Sequence, residues 1–314
     1  MIVLIVLQAL FATSIPMGKI LVHMSSPFFL SGARMVLAGS FLLAYQYCVA
    51  PEAFTFNISH WRLYAVVIFI SIYLKYILRY WGLQYLPSGK TSLLLQLTPF
   101  VVALFSYLLF HERITFKQWC GMCVAFGGLI PLLHAGSPTA INGSSAPFFL
   151  LAEFAIIGSL LAHSLGVLAM RQLMCAHGYS ASMANGLRMF GGGLLALMTS
   201  FFCEGFGTVS NGPSFVFWLV ALIMVSNIIS HNVYASLLTQ YSPTLLSLTD
   251  FLGPLFVTGY GCLFLGEVVT WHFFFAGIFV LSGLYLFYRD ELSRSKTIPW
   301  QSNRAKVPQL QNEQ

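Results

Sequence analysis

A chain of 314 residues that is 58% apolar, 16% aromatic and only 8% charged cannot cover itself as a soluble monomer, whose surface needs roughly a quarter of charged residues. Its net charge of +6 does not point to nucleic acid, because the basic residues form no patch, so no nucleic-acid partner is expected. Six cysteines are scattered through apolar runs; only Cys120 and Cys123 have ligand spacing, and with no second pair nearby they read as two thiols packed on one helix, so no metal and no cofactor are expected.

Apolar runs of about 20 residues cross a bilayer as helices. Ten are predicted, over residues 2–22, 27–49, 63–85, 88–110, 117–134, 148–170, 181–203, 214–239, 243–265 and 270–288. The first is expected to be a retained span rather than a cleaved leader: it lacks a basic start, and Lys19 stands where a small cleavage residue belongs. Thr115 and Gln118 form a capping box that starts the fifth helix. Trp61, Trp119, Trp218 and Trp271 fall near helix starts, as an aromatic belt requires. Gly89-Lys90-Thr91 imitates the end of a phosphate loop, but Gln84 stands where that loop needs glycine, and no strand precedes it.

The chain repeats itself. Gly32, Arg34, Met35 and Gly39 return as Gly186, Arg188, Met189 and Gly193, 154 residues on; Pro99 and Glu112 return as Pro254 and Glu267, 155 residues on. The expected fold is therefore an all-α integral membrane protein of ten transmembrane helices in two inverted five-helix repeats. Residues 1–134 form the first repeat, 135–146 the linker, 147–288 the second repeat and 289–314 a cytoplasmic, disordered basic tail. Five is odd, so the second repeat enters the membrane from the opposite face. With the N-terminus inside, Arg62, Arg113, Lys117, Arg171, Arg289, Arg294, Lys296, Arg304 and Lys306 lie on the cytoplasmic side and only Lys19 and Lys90 outside. The expected location is a cell inner membrane, multi-pass, both termini cytoplasmic, with the lipid bilayer and a small-molecule substrate as partners and a homodimer left open.

Lys75 and Arg79 share one face of helix 3, with Tyr76 and Tyr80 on the adjoining face. Two membrane cations need a watery cavity, carboxylate partners or an anionic ligand. Matching Gln84-Tyr85 with Gln240-Tyr241 sets His231 opposite Lys75, in a polar stripe of helix 8 with Asn227 and Tyr234. The matched prolines, Pro99 with Gln96 and Pro254 with Asp250, mark interrupted helices at corresponding places of both halves, the sequence pointer to a transport site. Asp250 is the first candidate for a coupling proton or a counter-ion to Lys75, and Glu153 the second. Arg34 and Arg188 read as anchors to a headgroup or a helix end, Glu112 and Glu267 as interfacial caps, and Gly127-Gly128 and Gly191-Gly192-Gly193 as sites of close helix packing.

Arg34, Pro99 and Glu112-x-x-Thr115 before a glycine-rich helix, repeated as Arg188, Pro254 and Glu267-x-x-Thr270, resemble the EamA-type members of the drug/metabolite transporter superfamily over residues 1–288. The resemblance implies a central cavity lined mainly by helices 1, 3, 4, 6, 8 and 9. More loosely, the chain is similar to the S-adenosylmethionine/S-adenosylhomocysteine transporters of obligate intracellular bacteria. The expected function is a secondary transporter of a small polar metabolite working by alternating access, with an amino-acid-derived solute such as S-adenosylmethionine foremost, exchanged for S-adenosylhomocysteine. The alternatives are an exporter of amino acids or drugs, or a carrier of an anionic phosphorylated metabolite. A membrane-embedded enzyme is remote: the sequence offers no nucleophile with a base, paired carboxylates or His cluster.

Overall fold

The structure, a computed structural model, describes residues 1–54, 56–83, 85–86, 91, 94–135, 146–205, 209–265 and 271–295. Among them the regular elements are all helical. The principal helices are α1 (Ile2–Val22), α2 (Pro27–Val49), α3 (residues 61–83), α4 (Thr98–Phe110), α5 (Phe116–Ala135), α6 (Ala146–Cys175), α7 (Ala181–Glu204), α8 (Gly212–Leu238), α9 (residues 243–265) and α10 (Trp271–Ser295). Among the described residues, seven stretches are long and apolar enough to span a membrane, in α1, α2, α3, α6, α7, α8 and α10. Polarity is arranged for lipid. Phe116 and Phe202 are each 82% exposed, while Gln8, Asn185, Asn227 and Ser230 are buried. Helices are the natural form here, since each satisfies its own backbone where water is absent.

Three helices are irregular. α3 passes from α-helix (Trp61–Ala65) through a π-helix (Val66–Leu74) back to α-helix (Lys75–Leu83). α8 does the same: Gly212–Leu222, then a π-helix over Ile223–Ser230, then His231–Leu238. The wider turn ends immediately before Lys75 in one and before His231 in the other. α9 is α-helical over Pro243–Leu248, 3-10 over Thr249–Leu252 and α-helical again over Gly253–Leu265. π segments are uncommon and gather at functional sites.

Hydroxyls fix several helix starts. The Thr115–Gln118 box forms: Gln118 N donates to Thr115 Oγ1 (3.1 Å) and Thr115 N to Gln118 Oε1 (3.0 Å). Ser180 and Ser242 accept from Met183 N and Leu245 N, each at 3.1 Å. Trp61 and Trp271 are the first residues of α3 and α10, and both are exposed.

Some boundaries differ from those expected. Residues 88–110 are not one uninterrupted helix: a turn at Gln96–Leu97 precedes α4, where Pro99 has no N–H to continue the ladder. α6 continues past residue 170 to Cys175, because Arg171 finds Glu112 at 2.5 Å instead of stopping the helix. The predicted tail begins too early, since α10 runs to Ser295. Asp290 there accepts from Thr115 Oγ1 (2.7 Å), and Glu291 accepts from Ser242 N and Oγ (3.0 and 2.8 Å), so two acidic residues tie down the starts of α5 and α9. The rest of the tail, most of the 135–146 linker, Gln84, Lys90, Glu267 and Thr270 lie outside the described residues.

The two largest helix contacts join α2 to α7 and α5 to α10. α3 packs on α6 as α8 packs on α1, and α4 meets α9. Glycine explains the closeness of the α2–α7 seam. A Cβ on Gly32 would stand 2.7 Å from Leu197, and one on Gly186 would stand 2.9 Å from Leu43. Gly39 faces the Phe190 backbone, and Gly193 would place a Cβ 2.7 Å from Val36 N. These contacts are reciprocal: Leu43 and Leu197, like Val36 and Phe190, are 154 residues apart. Gly191, Gly192 and Gly166 let the π stretch of α3 settle against α7 and α6. Gly128 packs on Phe279, but Gly127 faces open space, so only one of that predicted pair is a packing glycine.

Candidate functional site

Tyr76 is the centre of the cationic cluster. It is the second residue beyond the π stretch, next to Lys75, whose ammonium lies 4.5 Å from its ring centroid. From α2, Arg34 donates Nη2 to the Tyr76 hydroxyl at 3.3 Å, with its guanidinium 5.7 Å from the ring centroid. Arg79 and, from α7, Arg188 are also within electrostatic reach of Tyr76. Arg34 and Arg188 are thus not anchors at a headgroup or helix end. Each lies two turns inside its helix, and the close α2–α7 seam carries both inward.

Arg188 is held from within. Its Nε donates to Asn185 Oδ1 (2.8 Å), and Asn185 Nδ2 donates to His231 O and Asn232 Oδ1, both at 2.9 Å. Asn185 is fully buried, and this chain satisfies both ends of its amide, as burial demands. His231 and His163 on α6 are within reach of Arg188 and Lys75. The Phe11 ring lies 5.0 Å from that of His231 and 6.2 Å from that of Tyr234. The Tyr234 hydroxyl is buried without a hydrogen-bond partner.

Asp250 occupies the 3-10 stretch of α9. Gln8, 3% exposed on α1, donates Nε2 to Asp250 Oδ1 at 2.7 Å and to Thr249 Oγ1 at 2.8 Å. Lys75 and Arg79 are within electrostatic reach of Asp250, and among the described residues neither forms an ion pair with it. A 3-10 stretch beside Pro254, which lacks an N–H, leaves the local ladder incomplete. That is where a carboxylate can gain a ligand without losing a full helix.

The other predicted residues scatter around this centre. Asn227 lies in the π stretch of α8, its Nδ2 3.9 Å from Met189 Sδ and its Oδ1 buried without a donor. Gln96 is buried at the turn before α4, and Pro99 is among the first residues of that helix. Glu153 is on α6, ten residues and about 15 Å along the axis from His163. The side chain of Tyr80 lies outside what the structure describes. Sequence reasoning missed Gln8, Phe11 and His163 as neighbours of the cluster; the available signal was polar side chains in the apolar runs of helices 1 and 6. Glu112, in the connection between α4 and α5, pairs with Arg171 on α6.

The arrangement offers cations for an anionic group, aromatic faces and amides for a flat polar group, and one carboxylate for a positive group. No cluster of three metal ligands occurs among the described residues.

A chain of known crystal structure superposes with a TM-score of 0.75, covering 92% of this chain and 96% of that one, at 16% identity, which speaks to the fold alone. The S-adenosylmethionine/S-adenosylhomocysteine transporter of Chlamydia trachomatis serovar L2 is 30% identical over 288 residues, covering 90% of this chain and 86% of that protein. The Chlamydia muridarum protein of the same name is 29% identical, covering 90% and 89%. An uncharacterized transporter of Bacillus subtilis, YvbV, is 22% identical over 81% of this chain and 80% of its own length. The model of the EamA-like transporter family matches residues 1–133 and 150–289. With both halves matched, the chain belongs to the EamA-like transporter family.

Proposed function

We propose that this protein is a secondary transporter that carries S-adenosylmethionine across a bacterial inner membrane in exchange for S-adenosylhomocysteine, and that it is not an enzyme. Ten membrane-crossing helices form two inverted repeats, residues 1–134 and 147–288, that rock about the α2–α7 seam. The two stretches matched by the family model support that division. So does the pairing of contacts, in which each helix of one half meets partners equivalent to those of its counterpart. Both termini are cytoplasmic, as the excess of basic residues on that side argues.

The observation that carries the substrate is a site complementary to an aminoacyl nucleoside in a chain 30% identical, over 90% of its length, to a transporter named for that pair of solutes. Lys75, Arg79 and Tyr76 meet a carboxylate; Tyr80, Tyr234 and His231 meet the base; Gln96 and Asn227 hydrogen-bond the polar edge. Asp250 takes the ammonium or sulfonium, and the interruptions at Pro99 and Pro254 give the helices room to move. Glu153 is the second candidate for a coupling or counter-ion role. The excess of cations over Asp250 favours one other reading, a carrier of an anionic phosphorylated metabolite.

Counterflow in proteoliposomes decides between them. Vesicles loaded with unlabelled S-adenosylhomocysteine should accumulate labelled S-adenosylmethionine, and vesicles loaded with sugar phosphates should not. Phosphate-ester counterflow without adenosyl counterflow would establish the second reading.

A further inference from the structure

Gln8 is a polar side chain inside an apolar helix, and its amide has one direction to act in. It is 3% exposed, and Nε2 directs both of its protons to neighbouring residues of α9: one to Asp250 Oδ1 (2.7 Å), the other to Thr249 Oγ1 (2.8 Å). The orientation of the amide is fixed by chemistry. Thr249 donates its own proton to Leu246 O (2.6 Å), so toward Gln8 it can only accept, as an ionised carboxylate can only accept. A hydrogen bond to a charged acceptor is also the stronger kind. The next residue of α1 is held as well, since Tyr260 of α9 donates its hydroxyl to Ala9 O at 3.1 Å. α1 therefore brings Gln8 to Asp250 on a backbone that α9 itself restrains.

Asp250 is left half-used. Oδ1 is taken by Gln8, Oδ2 accepts no hydrogen bond among the described residues, and the side chain is only partly buried. Phe11, three residues on from Gln8 and so on the same face of α1, has its ring 5.0 Å from that of His231 and 6.2 Å from that of Tyr234. One face of α1 thus touches both the carboxylate and the aromatic residues of the site. The mirror position lacks the device: at an offset of 155 residues Gln8 becomes His163 and Asp250 becomes Leu95. We infer that Gln8 is the positioning residue for the cationic end of the substrate, holding Asp250 by one oxygen so that the other meets the positive group. A carboxylate held in this way has lost its rotational freedom before the substrate arrives, so binding need not order it.

This rests on the substrate reading given above, and the test keeps the two apart. Exchange of labelled S-adenosylmethionine is measured in proteoliposomes for the wild type, Gln8→Met and Gln8→Asn. Each is measured alone and in competition with the deamino analogue of S-adenosylhomocysteine, which keeps the carboxylate and the base but carries no cation. Methionine has the length of glutamine and no donor; asparagine keeps an amide one methylene short of Asp250. Freeing a side chain that binding must then order weakens binding by about 2- to 12-fold. The half-saturating concentration of S-adenosylmethionine should rise by that factor in both variants, with a smaller change in maximal rate. The inhibition constant of the analogue, which has no group for Asp250, should stay as in the wild type. Variants that weaken the analogue as much as S-adenosylmethionine overturn the inference. So does an unchanged half-saturation, and a fall in maximal rate beside it would make Gln8 a tie between helices. Should Gln8→Met fail to elute as a single species, Gln8→Asn decides alone. A wild type indifferent to either compound overturns the substrate reading itself, and this inference with it.

Discussion

The α2–α7 seam gives a prediction whose size follows from distances. In Gly193→Ala the new methyl would lie 2.7 Å from Val36 N, 2.9 Å from Met35 Cβ and 3.0 Å from Val36 Cγ2. The first of these is backbone, so relief requires the two helices to part. Overpacking of this kind costs about 1–3 kcal/mol. Alanine returns about 1 kcal/mol of helix propensity, leaving a net loss of about 0–2 kcal/mol. Gly127→Ala is the control: nothing lies within 4 Å of its added methyl, so only the propensity gain of about 1 kcal/mol remains. The two variants should differ by about 1–3 kcal/mol whatever the exact propensity, because that term is common to both. At about 2 °C per kcal/mol for a chain of this size, Gly127→Ala should melt roughly 2–6 °C above Gly193→Ala in the same detergent. Gly39→Ala, facing the backbone of Phe190, should match Gly193→Ala. A Gly193→Ala protein as stable as Gly127→Ala would refute the packing argument.

Lys75→Ala and Asp250→Asn should each abolish counterflow while the protein still inserts and elutes as a single species; near-normal exchange in both would remove the proposed site. Glu112→Gln should lower the melting midpoint by roughly 2–6 °C, because it takes from Arg171, 7% exposed, a partner worth about 1–3 kcal/mol, between the exposed and buried limits; an unchanged midpoint would mean the pair is idle. At one end of the bundle Asn57 N donates to the hydroxyls of Tyr64 (3.2 Å) and Tyr179 (3.3 Å). The His60 and His177 rings lie 3.9 Å apart beside them. Burial first, and then the neighbouring His60, hold His177 below its ordinary pKa. Since the folded state resists the proton, this contact is undisturbed above the unfolded pKa of about 6.5 and weakens as pH falls below it. The protection factor of the Asn57 amide, its exchange rate corrected for the intrinsic pH dependence, should fall between pH 7.5 and 5.5, and His177→Gln should remove that fall; an amide equally protected at both values would contradict the sign.

Helix positions were legible because apolar length and caps are local. The Thr115–Gln118 box needs four residues to be read, and it starts α5 where it should. The π stretches were not legible. An all-apolar run such as Val66–Leu74 carries no face by which a period of 3.6 can be told from a wider one. The end of α10 was misread for a different reason. Asp290 and Glu291 look like a polar tail until Thr115 and Ser242, distant in sequence, present hydroxyls to them. The positions of Arg34 and Arg188 along their helices follow from the sequence, but position does not say which way a side chain turns. That is fixed by the glycines one turn away, which bring α2 and α7 together.

The repeated marks divide by role. Gly32, Gly39, Gly186 and Gly193 hold a reciprocal seam in which every contact has its twin 154 residues away. Such a seam treats its two halves alike, so in the proposed mechanism the inward- and outward-facing states can lie close in energy, as exchange requires. A site as symmetric as the seam would bind a substrate equally well in two opposite orientations. In the proposed site the difference between the copies breaks that degeneracy. Lys75 stands against His231, Tyr76 against Asn232, and Asp250 against Leu95. The anionic end of a zwitterionic solute then has one place to go and the cationic end another. In the proposed mechanism the copies agree along the seam and differ at the site, so Asp250→Leu, which restores symmetry there, should abolish counterflow as Asp250→Asn does while the protein still inserts.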